Sequence, residues 1–213
     1  MNSDCERLTM NDLTPFLTKL FEIIAIDIEH LNQYLKPHEK EYLNRNLVSM
    51  EALNDDLYSS ELSDNLEVLV NFLVQHADDI GQLWQDNDKK ELLVDLYISG
   101  TISGEYDCFH FDLSKFSHSY ISSDQQLTLY RIGRVGETVS NVGNSWSYDA
   151  TGLKAYAQFV SGLASRPVFS MQVHDSEVLC KGQSKESELI LKKGFTADSI
   201  KLISTEERQE IGV

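Results

Sequence analysis

The feature that most constrains the fold is a change in hydrophobic spacing near residue 100. Before it, apolar residues recur every three or four positions, as on one face of a helix, and Thr14-Pro15 supplies a capping hydroxyl followed by a proline suited to the first helical position. After Gly100, apolar residues occur in short runs between glycine-containing turns, which is typical of strands. The sequence therefore predicts an α+β protein with a helical section over 10–98 and a second section over 101–213.

Each section divides further by its own spacing. Four helices are predicted in the first, at about 15–35, 38–57, 60–84 and 88–98, with Ser60 or Ser63 capping the third. The second section is predicted to contain strands at about 127–131, 168–173, 177–180, 185–191 and 199–203, a helix at 150–159 and a polar tail from 205.

Net charge limits the choice of partners. The chain carries 34 acidic and 18 basic residues, a formal charge of −16, and it has no basic stripe, so it would repel nucleic-acid phosphates and anionic membranes. Residues 1–100 hold 20 acids and 7 bases (−13), whereas 101–213 hold 14 acids and 11 bases (−3). We therefore expect no nucleic-acid or membrane partner, and we expect any anionic ligand to bind the second section.

Cysteines and the N-terminus indicate a reducing compartment. Cys5, Cys108 and Cys180 are odd in number and widely spaced, which favours free thiols over a disulfide framework. No basic segment followed by an apolar core opens the chain. We expect a cytoplasmic protein, either in the cell that makes it or in a target cell after specialised delivery. The histidines have no companions at metal-ligand spacing, so no metal site is predicted.

Two carboxylates stand at the start of an apolar run. Glu186 and Glu188 precede Leu189-Ile190-Leu191, and on a strand they would share one face, about 7 Å apart. Such a pair is either a solvated edge that blocks strand pairing or a place where a cationic ligand or transition state sits between the acids.

Two upstream motifs favour the second interpretation. The strand-like run 127–131 ends in Arg131, and Ser145-Trp146-Ser147 precedes the predicted helix. In this order, over residues 127 to about 203, the chain resembles the arginine-type mono-ADP-ribosyltransferases, the cholera-toxin-like group with an arginine, serine and glutamate active site. The resemblance implies a compact core of two small, mostly antiparallel sheets that bind NAD as co-substrate, without a metal.

The resemblance also implies roles for individual residues. Glu188 matches the catalytic glutamate that bonds a hydroxyl of the nicotinamide ribose, and Glu186 matches the acceptor-facing glutamate associated with modification of arginine. Arg131 matches the arginine that steadies the NAD phosphates and ribose, although Arg134 is an alternative phosphate contact. Ser145 matches the serine that orients the catalytic glutamate and contacts NAD, with Ser147 as its neighbour in the same cofactor site.

One residue departs from the motif. Trp146 stands where the family has threonine, and we expect its side chain on the opposite strand face from the two serines, in the core.

These motifs predict an enzyme that transfers ADP-ribose from NAD to an arginine of a target protein and releases nicotinamide. It would act as a toxin, an effector or a phage factor, with the acidic helices docking the target. One alternative is an NAD glycohydrolase that uses water as the acceptor. Another is a catalytically silent acidic protein that binds or inhibits a basic partner.

Overall fold

The computed structural model describes residues 7–45, 47–57, 64–86, 90–99 and 109–213. The chain divides into two compact units, Met1–Tyr97 with Tyr106–Lys115 and Ile98–Glu105 with Phe116–Val213. The described helices of the first unit and the antiparallel sheet of the second confirm the α+β class.

Seven described helices form the first unit: α1 Pro15–Ile23, α2 Ile28–Leu31, α3 Pro37–Arg45, α4 Met50–Asp55, α5 Asp64–Gln75, α6 Ala77–Gln85 and α7 Lys90–Tyr97. The start of α1 is as predicted, because the Thr14 hydroxyl accepts a hydrogen bond from the Leu17 N–H (3.2 Å) and proline takes the first position. Leu17, Leu20 and Phe21 are fully buried on its inner face.

The first two predicted helices are wrong in extent, because each is interrupted by a capped break. The third is interrupted at His76, between α5 and α6. Ala25 has a φ of 56°, and the Asp27 carboxylate then accepts hydrogen bonds from the next turn to begin α2. Ser49 caps α4 in the same way. Apolar spacing continues across both breaks, so hydrophobicity alone does not detect them. The predicted caps Ser60 and Ser63 lie outside the described residues.

An extended segment, 109–112, closes onto this helical unit. The Asp27 N–H donates to the His110 carbonyl (2.7 Å), and the Asp112 N–H donates to the Ala25 carbonyl (2.6 Å). Between them Phe111 bridges Ile26 and is almost fully buried. The left-handed turn at Ala25 therefore serves as a docking point for a distant part of the chain.

The second unit is built on a sheet with two helices. Its strands are β1 Gln126–Ile132, β2 Ser145–Ser147, β3 Val168–His174, β4 Val178–Lys181, β5 Glu188–Leu191 and β6 Ala197–Leu202, and its helices are α8 Ala150–Ala157 and α9 Thr205–Ile211. The prediction of a polar tail from 205 is wrong, because Ser204 and Glu207 form a capping box that begins α9.

The described strands form one antiparallel sheet in the order β4-β5-β2-β1-β3-β6. The prediction of two separate small sheets is therefore wrong. The connection is narrow, however: β1 pairs with β2 only at Tyr130 and Ser147, whereas β1 pairs with β3 at seven positions. Two three-stranded halves thus meet at one residue pair, which we call the seam.

The two faces of the sheet differ. One carries most of the apolar core, around Leu129, Trp146 and Phe169. On the other, Ile132, Val168 and Ile203 pack with Leu153 of α8, and Tyr130 lies against this second cluster. Since Tyr130, Ser147 and Glu188 face one another across neighbouring strands, they belong to the α8 face.

In the part of the chain that the structure describes, no helix has the length and apolar content needed to cross a bilayer.

Candidate active site

The Glu188 carboxylate is held at the start of β5 by two donors. Ser145 Oγ on β2 donates a hydrogen bond to one oxygen, and the Gln183 N–H donates to the other (2.7 Å). Gly182 also contacts this carboxylate closely, since an added Cβ there would overlap it. Glu188 is half-buried, so a preoriented negative charge remains accessible from solvent.

Glu186 occupies a different environment from the one predicted. A 3-10 turn at Ser184–Glu186 and Ser187 in the left-handed region (φ 49°) precede β5, so the strand begins only at Glu188. The prediction that Glu186 and Glu188 lie on one strand face is therefore wrong. Two backbone bonds, Glu186 N–H to Gln183 and Ser187 N–H to Ser184 (both 3.2 Å), close the turn instead of a ladder.

This turn, which we call the Glu186 turn, is fixed to the sheet and to α8. Ser147 Oγ donates to the Glu186 carbonyl (2.7 Å), and the Tyr148 N–H donates to the Ser187 carbonyl (3.0 Å). Gly152 of α8 lies so close that an added Cβ would overlap the Glu186 carbonyl. Burial raises the pKa of the Glu186 carboxyl, and the nearby charge of Glu188 raises it further.

Arg131 connects β1 to β2, the strand that carries both serines. Its Nη1 donates to the Ser145 carbonyl (2.7 Å), while Nε and Nη2 form a bidentate pair with Glu137 (2.7 and 3.2 Å). Only 13% of its side chain is exposed. Ser145 therefore contacts both residues, since its backbone carbonyl bonds Arg131 and its hydroxyl bonds Glu188. The Arg131 and Glu188 side chains lie on opposite faces of the sheet, because Arg131 follows Tyr130 on β1 and Tyr130 shares the face of Glu188.

Sequence reasoning missed Glu137. Its side chain is 3% exposed, and it accepts further hydrogen bonds from the N–H groups of Arg134 and Gly143 (both 2.8 Å). Burial alone would raise its pKa, but the Arg131 guanidinium and these N–H groups outweigh burial and hold the pKa at about 2. An acid within a glycine-rich loop carries no periodic signal that would link it to Arg131.

A second guanidinium adjoins the same carboxylate. Arg134 Nε lies 3.5 Å from Glu137, and 41% of the Arg134 side chain is exposed. Two arginines share one buried carboxylate, and Arg134 is the more exposed of the two. Among the sequence-predicted alternatives for contacting an anion, Arg134 is therefore the more accessible and Arg131 the more constrained.

The predicted orientation of Trp146 is confirmed. The side chain is 1% exposed within the core of the opposite sheet face, and its indole N–H donates to the Gly143 carbonyl (2.7 Å). Trp146 thus anchors the loop that supplies Gly143 to Glu137. Ser147 lies on the other face and is buried, and its hydroxyl donates a hydrogen bond to the Glu186 turn.

Asp175 and Cys180, two other buried residues in this unit, have structural explanations. Asp175 accepts hydrogen bonds from the Ser122 hydroxyl (2.6 Å), the Ser123 N–H (2.7 Å) and the Gln125 N–H (3.2 Å), which lower its pKa and fix the segment before β1. Cys180 is a free thiol whose pKa is raised to about 11 by burial and by Glu188. It is thus a poor nucleophile. Cys5 and Cys108 lie outside the described residues.

Comparison with known proteins identifies no relative: no protein-family model, no curated protein and no solved structure matches the chain.

Proposed function

We propose that the protein transfers ADP-ribose from NAD to an arginine side chain of a target protein. The observation that supports this most is that Ser145 is bonded to both Arg131 and Glu188, because this brings together three motifs spread over 58 sequence positions. We infer that the seam-joined halves of the sheet are an ADP-ribosyltransferase-like core.

The chemistry needs a carboxylate beside the ribose. As the bond between C1′ of the ribose and the nicotinamide nitrogen breaks, the electron pair leaves with nicotinamide and positive charge develops on the ribose. Glu188 suits this role because Ser145 and the Gln183 N–H fix its orientation while its burial is only partial. Removing one such well-aimed group costs about 3 kcal/mol in other enzymes, or roughly a hundredfold in rate.

The acceptor nitrogen must also be activated, because an arginine guanidinium is protonated and a weak nucleophile. In the proposed reaction a guanidinium nitrogen forms the new bond to C1′ and passes one proton to the Glu186 carboxylate. Burial and the Glu188 charge raise the pKa of Glu186, which makes this carboxylate a better proton acceptor than an ordinary glutamate. The rigid Glu186 turn would hold it in place.

The residues present also fit an anionic co-substrate. The cluster of Arg131, Arg134 and Glu137 places two guanidinium groups against one carboxylate, and it is bonded to the Ser145 carbonyl in the less acidic part of the chain. Planar guanidinium groups pair well with phosphate oxygens. We assign pyrophosphate contact to this cluster, with the half-exposed Arg134 as its outer member.

The test uses NAD labelled in its ADP-ribose portion and a bacterial lysate. Wild-type protein should label a discrete protein, the label should be released by treatment that cleaves arginine linkages, and Glu188→Gln should lower labelling at least a hundredfold. Glu206→Gln, an exposed change in the first turn of α9, is the matched control and should label normally.

Release of nicotinamide in the same tubes separates the alternatives. Nicotinamide without labelled protein would favour the glycohydrolase, with water replacing the guanidinium. Neither product, together with no heat of NAD binding in calorimetry, would refute the enzyme and leave an acidic binding protein.

A further inference from the structure

A cavity of about 500 Å³ opens on the α8 face of the sheet, beside α9. It is lined by two rows of side chains that cross three strands: Thr128, Gln172 and Ser199 in one row, and Tyr130, Ser170 and Lys201 in the other. The volume is in the range of small-molecule sites.

The polar character of this wall is unusual for a sheet face that a helix partly covers. Thr128, Tyr130, Ser170, Gln172 and Ser199 make no side-chain hydrogen bond to any other residue within the described ranges. Ser170 is the most telling, because it is only 5% exposed and sits on β3 between buried apolar neighbours. Its hydroxyl is not sealed from solvent, so it opens onto the cavity, where a ligand can form a hydrogen bond with it.

The charged side chains on the cavity wall disfavour anionic ligands. Lys201 is already paired with Glu207 (3.1 Å), and Glu210 of α9 adds another carboxylate. One cation and two carboxylates sum to −1, which disfavours phosphates and other anions. Ile203 and Ile211 supply apolar surface on the same wall.

We propose that this cavity binds a small uncharged ligand built on a sugar ring, either a free pentose or the ribose of a nucleoside. A sugar ring presents hydroxyl groups at its edge and carbon-bound hydrogens on its faces, which matches hydroxyl and amide side chains beside isoleucines and the Tyr130 ring. The Gln172 amide can pair with a base edge, which would extend recognition from the ribose to a nucleoside. This inference does not depend on the transferase reaction.

The experiment titrates the intact protein with ribose, adenosine and ribose 5-phosphate and follows backbone amide shifts by NMR. Binding at millimolar concentration should shift amides of β3 and β6. Ribose 5-phosphate should bind more weakly than ribose because of the negative wall. Similar affinities for ribose and adenosine would assign recognition to the sugar ring, and a clear preference for adenosine would assign a nucleoside.

Two variants locate the site, and a third is its control. Ser170→Ala removes the hydroxyl that opens onto the cavity, and Gln172→Leu removes an exposed amide whose loss should not affect folding. Each should weaken binding up to about tenfold, the range for one neutral hydrogen bond. Gln126→Leu, on β1 outside the cavity, should change nothing. No binding of either uncharged ligand, tighter binding of the phosphate, or affinity unchanged in both cavity variants would overturn the proposal.

Discussion

Replacing Glu137 by glutamine should destabilise the sheet unit by an amount that depends on pH. The pKa of Glu137 is lowered from its usual 4.5 to about 2, and each pH unit of difference corresponds to about 1.4 kcal/mol. The carboxylate therefore contributes about 3 kcal/mol to the free energy of unfolding at neutral pH. The magnitude agrees with the roughly 3–5 kcal/mol lost when one partner of a buried ion pair is removed.

The sign follows from the direction of this pKa shift. Because the folded-state pKa is lowered, the contribution is fully present above about pH 4.5 and is lost as the pH falls toward 2. Glu137→Gln should thus be about 3 kcal/mol less stable than wild type at pH 7, and the difference should shrink steadily below pH 4.5. At pH 3.5 about 2 kcal/mol should remain.

Urea unfolding followed by the fluorescence of Trp146 measures this difference. Trp146 is buried and bonded to Gly143, which itself donates to Glu137, so its emission reports on the unit that contains the ion pair. A Trp84→Phe background removes the only other tryptophan. Glu206→Gln serves as the exposed control. A loss below about 1 kcal/mol at pH 7, the size expected of a surface pair, or a loss of equal size at pH 7 and pH 3.5, would refute the reasoning.

Two further predictions concern the proposed reaction, and one concerns the packing of α8 against the Glu186 turn. Glu186→Gln should abolish labelling of the target while nicotinamide release by chromatography stays within about threefold of wild type; equal loss of both would contradict its role as acceptor base. Gly152→Ala should destabilise the sheet unit in urea, although alanine is favoured over glycine in helices by about 1 kcal/mol, because its Cβ would overlap the Glu186 carbonyl; a more stable variant would disprove that contact. Asp55 and Asp78 are exposed on the helical unit. If the acidic helices dock the target, replacing both by asparagine should weaken target labelling without changing NAD hydrolysis. Unchanged labelling would refute this docking role.

The limits of sequence reasoning are visible at particular residues. Thr14-Pro15 predicted the start of α1 because capping and proline chemistry are local. The left-handed conformation of Ala25 could not be predicted from the sequence, because its turn is stabilised by a hydrogen bond from Asp112, which is distant in sequence. The capping box at Ser204 and Glu207 was readable in sequence, so α9 could have been predicted.

The candidate site shows the same division. The order of Arg131, Ser145 and Glu188 could be read from sequence, because Ser145 and Glu188 begin strands and Arg131 is the residue before the last of β1. Glu186 was misplaced, because Ser187 adopts a left-handed conformation that only the contacts of Ser147 and Gly152 explain. Glu137 was not predicted, because it meets Arg131 only when the loop after β1 folds back. The conformation of such a loop leaves no periodic pattern in the sequence.

The seam between the halves of the sheet changes how substitutions of Arg131 should be understood. Where a continuous ladder would join β1 to β2 through several backbone bonds, one residue pair and the bond from Arg131 to the Ser145 carbonyl make the connection. The Arg131 guanidinium therefore holds β1 and β2 together, in addition to supplying a positive charge. Lysine at this position would keep the charge yet lose the planar fork, so the halves could twist apart and carry Ser145 away from the residues on β1.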